Sequence, residues 1–220
     1  MKIAQDVSSL PKKGFRLLPE KVAQFVLSVV NNLSLSLARQ KANPNILSAI
    51  GLILGAVAGL FFALGQPLLA AFFVLLCGFF DILDGKVAEN SGRRSLFGAI
   101  FDSSLDRYSE FFIYLGLAYY FRHHWSLWLI FFTILGSFMV SYARARAEGL
   151  GMRSHIGLMQ RAERMILLIV GAIAGVIFDK LTISMVVVLL MITVASHITA
   201  WQRIFFVRQW EKAKSQSKEV

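Results

Sequence analysis

The sequence predicts an all-α integral membrane protein: six transmembrane helices preceded by an amphipathic juxtamembrane helix, with both termini cytoplasmic. Three observations carry this expectation. Hydrophobic residues make up 56% of the 220 residues and mean hydropathy is +0.62, above the roughly 45–50% apolar content of soluble domains. The apolar residues gather into six runs of about the 20 residues needed to cross a bilayer. The cations between those runs fall almost entirely on one side.

The amino-terminal segment, residues 1–40, holds no compact apolar core before a small-residue cleavage site, so no cleavable signal peptide is expected. Val22, Phe25, Val26, Val29, Val30, Leu33 and Leu37 recur at helical spacing, and Pro19 suits a first turn. This pattern predicts a helix lying in the membrane interface over residues 19–39. The spans follow at 45–65, 67–90, 95–121, 125–147, 160–178 and 181–207, forming a membrane domain over 41–207. A basic, solvated tail occupies 208–220. The first and last spans carry no charge over 20 residues; the middle four have polar residues at one end, and the fifth is the shortest in clean apolar sequence.

Gly51, Gly55 and Gly59 in span 1, and Gly171 and Gly175 in span 5, are spaced for close helix packing, either within the chain or along a dimer seam. Trp125, Trp128, Tyr119 and Tyr120 fit an outer aromatic belt, and Trp201 and Trp210 an inner one.

Net charge is +10. Such a value raises nucleic acid as a partner, but the distribution argues for a membrane instead. Of 23 Lys and Arg, 21 lie before span 1, from Lys86 to Arg107, from Arg144 to Arg164, or from Arg203 onward; only Arg122 and Lys180 lie on the other side. The positive-inside rule then puts both termini at the cytoplasmic face, and an even number of spans returns the chain there. The single cysteine, Cys77, excludes an intrachain disulfide. No Cys and His share metal-ligand spacing, which argues against zinc.

Asp81, Asp84, Asp102 and Asp106 stand out against this background. The first pair is spaced i, i+3 and the second i, i+4, so each pair lines one helix face. Acidic residues at membrane depth are costly and point to function. Four clustered carboxylates need cations, and hard oxygen ligands suit Mg²⁺, Mn²⁺ or Ca²⁺. Two other readings are helix caps or ion pairs with Arg93, Arg94 and Arg107, and a cation-transport path. Transport sites sit near the midplane, whereas these residues lie at a helix end beside Arg-rich loops.

Written out, the stretch is Asp81-x₂-Asp84-Gly85-x₂-Ala88-x₉-Gly98-x₃-Asp102-x₃-Asp106. It resembles the signature of the CDP-alcohol phosphatidyltransferases at every fixed position but one, where Glu89 replaces the family arginine. Asn43-Pro44-Asn45-Ile46-Leu47-Ser48 is similar to the Pro-Asn segment opening the family's first span. The resemblance covers roughly residues 20–207. It implies six transmembrane helices, a juxtamembrane helix, a homodimer and a prokaryotic cytoplasmic membrane with the site facing the cytoplasm. The implied activity moves a phosphatidyl group from a CDP-linked lipid to an alcohol, releasing CMP. By resemblance Asp81, Asp84, Asp102 and Asp106 hold two divalent ions, Mg²⁺ or Mn²⁺, and Asp106 is also the general base. Asn45, Asp81, Asp84, Gly85, Ala88 and Gly98 line the CDP-lipid site.

The loop between spans 4 and 5 bears on the acceptor. Arg144, Arg146, Arg161 and Arg164, with Arg203 at the end of span 6, sit at the cytosolic ends of three helices. Arginines pair bidentately with phosphate, although inside loops are Arg-rich in any case. The wording Ser141-Tyr142-Ala143-Arg144-Ala145-Arg146-Ala147-Glu148 and Arg161-Ala162-Glu163-Arg164 is similar to segments of phosphatidylinositol-phosphate synthases and their archaeal counterparts. There, residues matching Arg144, Arg164 and Arg203 hold the phosphate of inositol phosphate. Ala162 stands where proline is usual. The expected acceptor is therefore inositol phosphate. Glycerol 3-phosphate is the alternative, followed by free or nucleotide-activated inositol; a cation-coupled transporter is the alternative outside enzymes.

Overall fold

The computed structural model describes residues 20–152 and 157–216. Pro19, Arg153 and His155 lie outside them, as does the rest of residues 1–18 and 217–220. Among the described residues there are seven helices and no strand: α1 (Glu20–Arg39), α2 (Pro44–Ala63), α3 (Pro67–Asn90), α4 (Leu96–Tyr120), α5 (Ser126–Gly149), α6 (Arg161–Ile177) and α7 (Leu181–Gln216). Helices α2 to α7 coincide with the six apolar runs.

Local chemistry sets the boundaries. The Asn43 side chain accepts from the Asn45 N–H and Pro44 occupies the first turn, where its missing donor costs nothing. Helix α2 stops at Gly65, whose φ of 69° suits a residue without Cβ, and Pro67 then opens α3. Ser95 caps α4 by accepting from the Gly98 N–H. Gln160 and Glu163 form a reciprocal capping box at the start of α6. Helix α7 continues through residue 208, where a tail is expected, to Gln216.

Helices α2, α3, α5 and α7 are long and apolar enough to cross a membrane. Helix α4 carries Asp102, Asp106 and Arg107 in its first half and Glu110 just past its midpoint, and α6 is only 17 residues long.

Helix α2 packs on α3 and α4, α6 on α3 and α7, α5 on α7, and α1 on α3. The glycine ladder explains the tightest crossing. A Cβ on Gly59 would run into the Phe112 carbonyl, one on Gly116 into Gly59 itself, and one on Gly55 would lie 2.7 Å from the Ser109 Cβ. Gly171 meets Val188 and Gly175 meets Leu181 in the same way. These glycines serve packing inside the chain, because only a missing side chain lets the backbones approach this closely. The main core gathers Phe62, Val74, Ile113, Leu117, Leu168 and Leu189 across α2, α3, α4, α6 and α7.

Helix α1 uses one apolar stripe against the bundle. Val30 packs with Leu47, Leu83 and Val87, flanked by Val26 and Leu37, and Asn90 Nδ2 donates to Ser34 Oγ at 2.8 Å. Phe25, Val29 and Leu33 stay exposed beside it. Trp125 and Trp128 are exposed at the start of α5, and Trp201 is exposed midway along α7.

Candidate active site

Helix α3 brings Asp81 and Asp84 to its last turns, and α4 starts after five intervening residues with Asp102 and Asp106 in its early turns. Carboxylate oxygens of Asp81, Asp102 and Asp106 lie within 4.8 Å of one another. Asp84 sits deeper, at 2% exposure. Its Oδ2 accepts from Ser48 Oγ at 2.5 Å, while its Oδ1 is buried with no hydrogen-bond partner. A buried carboxylate oxygen without a donor is costly unless a cation meets it. That orphan, beside three converging carboxylates and with no soft ligand among the three, fits hard divalent cations such as Mg²⁺ or Mn²⁺.

A small cavity opens between these groups, lined by Ser48, Cys77, Asp81, Asp84, Asp106 and Arg161. Arg161 Nη1 lies 2.8 Å from Asp81 Oδ1 and 2.6 Å from Asp106 Oδ1. Its Nη2 donates to Ser109 Oγ at 2.9 Å. Arg107 Nη1 stands 3.5 Å from Asp106 Oδ2 on the more exposed side.

The glycines of the motif differ in what surrounds them. A Cβ on Gly85 would meet open space, whereas one on Gly98 would approach Asn45 Oδ1 at 3.4 Å. The start of α2 therefore lies against the start of α4 at Gly98, with Asn45 beside the motif. Ala88 is half-buried one turn from Gly85. Glu89 is exposed and pairs with Lys86 at 2.9 Å and Arg94 at 3.3 Å. Arg93 Nη1 donates to the Lys41 carbonyl. Of the cations weighed as ion-pair partners for the aspartates, only Arg107 reaches one.

The five arginines do not form one group. Arg164 is 1% exposed and bidentate on the equally buried Glu110, with Nε–Oε1 at 2.5 Å and Nη2–Oε2 at 2.9 Å. Its Nη1 is buried without a partner. Arg203 is 4% exposed, donates to the Val140 carbonyl and feels the charges of Arg144, Arg164 and Glu148. Arg144 Nε donates to Glu148 at 2.9 Å. Arg144, Arg164 and Arg203 therefore come from α5, α6 and α7 into one electrostatic neighbourhood. Arg146 is exposed. Arg161, expected with the acceptor group, stands instead among the aspartates, because α6 begins against α3 and aims its first residue at Asp81.

Three site neighbours were not anticipated. Ser48 lay in the quoted Pro-Asn segment, with nothing to pair it with Asp84. Ser109 is half of the α2–α4 contact and a partner of Arg161. Glu110 continues the i, i+4 series of Asp102 and Asp106, a signal visible in the sequence.

Residues 41–210 match the profile of the CDP-alcohol phosphatidyltransferases. The archaetidylinositol phosphate synthase of Pyrococcus horikoshii is 32% identical over 186 residues, covering 84% of this chain and 94% of its own length. The phosphatidylinositol phosphate synthase of Mycobacteroides abscessus is 33% identical over 189 residues, covering 82% and 84%. The crystal structure of Mycobacterium tuberculosis phosphatidylinositol phosphate synthase with CDP-DAG bound superposes with a TM-score of 0.72 at 28% identity, covering 81% of this chain and 92% of that one. The same enzyme in complex with manganese and citrate gives 0.71 at 28%, covering 80% and 87%. With three of the motif's four aspartates gathered into one carboxylate cluster inside that matched stretch, the chain belongs to the CDP-alcohol phosphatidyltransferase family, and it is an integral membrane enzyme of that class.

Proposed function

We propose that the protein transfers a phosphatidyl-type group from a CDP-linked lipid to a hydroxyl of inositol phosphate, releasing CMP. The observation that supports the acceptor is that Arg144, Arg164 and Arg203, from three helices, share one electrostatic neighbourhood. The phosphatidylinositol- and archaetidylinositol-phosphate synthase relatives support the same acceptor class.

In this reading the acceptor oxygen attacks the phosphorus bearing the lipid. The bond from that phosphorus to the bridging oxygen breaks, and CMP leaves with the bridging oxygen. Asp106 takes the hydroxyl proton, as a base placed within reach of a poor nucleophile. Asp81, Asp84, Asp102 and Asp106 would hold two Mg²⁺ or Mn²⁺ ions, which when bound neutralise the pyrophosphate and stabilise the leaving phosphate. Gly85, Ala88, Gly98 and Asn45 frame the nucleotide side, and Arg146 stands at the rim of the acceptor side.

Charge asymmetry supports six spans, with α4 and α6 crossing alongside the four most apolar helices and the site at the cytoplasmic face of a prokaryotic membrane. The exposed apolar side of α1 supports an interfacial position for that helix. The family resemblance supports a homodimer, which cross-linking in membranes would reveal as a band of twice the chain mass.

The decisive experiment is CMP release by purified protein with CDP-diacylglycerol and Mg²⁺, offering inositol phosphate, glycerol 3-phosphate, free inositol or serine. Turnover with inositol phosphate alone is expected. Turnover only with glycerol 3-phosphate would retain the aspartate chemistry and overturn the acceptor. Asp106→Asn is expected to lower turnover by about 100-fold or more while CDP-lipid still binds.

A further inference from the structure

Arg161 is bound to two of the three carboxylates that converge as candidate metal ligands. Its Nη1 bridges Asp81 Oδ1 and Asp106 Oδ1, and these residues, with Asp102, form the group whose oxygens converge within 4.8 Å. A guanidinium and a divalent ion compete for these carboxylates and repel one another at such short range, so each weakens the other's hold on the pair. Little else retains the side chain. Nη2 reaches the neutral Ser109 hydroxyl, the contact to Cys77 Sγ is 3.8 Å, and Nε is buried without a partner.

The position of Arg161 in the chain gives the competition a direction. It is the first residue of α6, one turn before Arg164, and follows directly on the loop that closes α5. Arg164 cannot move with it, since Glu110 holds that guanidinium bidentately in the core. Arg161 can therefore leave the aspartates by changing rotamers while the helix stays in place.

We propose that Arg161 is an exchangeable counter-cation. It balances Asp81 and Asp106 when the cluster holds no metal, and a divalent ion displaces it. The displaced guanidinium then turns toward Arg164, whose charge it already feels, and adds a cation for the acceptor phosphate. Metal loading thereby completes the second anion site, and donor-side loading precedes tight acceptor binding. The displacement itself needs no particular acceptor; the second half rests on the phosphorylated acceptor proposed above.

The test is Mn²⁺ binding to the full-length protein in detergent, without lipid or acceptor, followed by electron paramagnetic resonance of the free ion. Arg161→Gln is expected to tighten Mn²⁺ binding by about tenfold or more, because a bridging charge is removed from the ligands themselves. Arg107→Gln removes an equal charge from the exposed side of Asp106 and is expected to change binding by about threefold at most. Arg161→Lys keeps the charge without the planar fork and should fall between wild type and Arg161→Gln, which preserves the test if the glutamine variant folds poorly. Unchanged or weaker binding in the Arg161 variants, or an effect equal to that of Arg107→Gln, overturns the displacement.

The second arm is calorimetric binding of inositol phosphate with and without Mn²⁺. Wild type is expected to gain affinity with Mn²⁺, and Arg161→Gln to lose most of that gain. Tighter Mn²⁺ binding with an undiminished gain overturns the acceptor role and leaves the displacement standing. No inositol phosphate binding to wild type overturns the acceptor reading itself.

Discussion

Glu110 and Arg164 illustrate how a buried pair ties stability to the site. Each is 1% exposed, and Tyr114 Oη lies 3.4 Å from Glu110 Oε1. Removing one partner strands a charge in the core, so Glu110→Leu is expected to cost about 3–5 kcal/mol, read as a lowered unfolding temperature in detergent. The double change Glu110→Leu with Arg164→Leu should recover much of that loss. If the double variant is no better than the single ones, the pair is not the source of the destabilisation. Ser48 acts on a smaller scale. Its hydroxyl fixes Asp84 Oδ2 and leaves Oδ1 buried without a donor. Ser48→Ala is expected to weaken Mn²⁺ binding by about tenfold, as loss of an orienting contact behind a metal ligand does. Unaltered Mn²⁺ affinity would detach Ser48 from the metal site.

At the level of elements, the crossing of α2 and α4 decides whether the two halves of the aspartate motif meet. Gly55, Gly59 and Gly116 hold these helices at backbone contact, and α2 also lies on α3. Gly59→Val forces the backbones apart at the Phe112 carbonyl. It is expected to remove the protein from the folded, detergent-soluble fraction, seen as aggregation by size-exclusion chromatography. Gly85 offers the opposite case, since a Cβ there touches nothing within 4 Å. Gly85→Ala is therefore expected to unfold at the wild-type temperature yet raise the KM for the CDP-lipid, because the added methyl would enter the space proposed for the nucleotide. A normal KM would take Gly85 out of that site.

For the whole molecule, the charge pattern and the helix order make one topological prediction. The buried Cys77 is first replaced by Ala, and single cysteines are then introduced into sealed membranes. A membrane-impermeant maleimide is expected to label His123→Cys from outside and Arg93→Cys only after permeabilisation. The reverse pattern would invert the assigned orientation, with the active site on the outer face.

The amino-acid sequence by itself determined the helical class, the positions of all six apolar helices and the four aspartates. These depend on local quantities: hydropathy over about 20 residues, caps such as Asn43 and Ser95, and fixed spacing along a helix. The glycine ladder was legible as well, but not its partner, because the same small residues suit contacts within a chain or between chains. The tertiary structure alone separated the arginines. Arg161 and Arg164 are three residues apart and look equivalent in sequence. Yet the rotation of α6 between α3, α4 and α7 sends one to Asp81 and Asp106 and the other to Glu110. Ser48 meets Asp84 across 36 positions for the same reason. Which charges share a cavity is a property of how helices cross, and no local pattern encodes the partner on another helix.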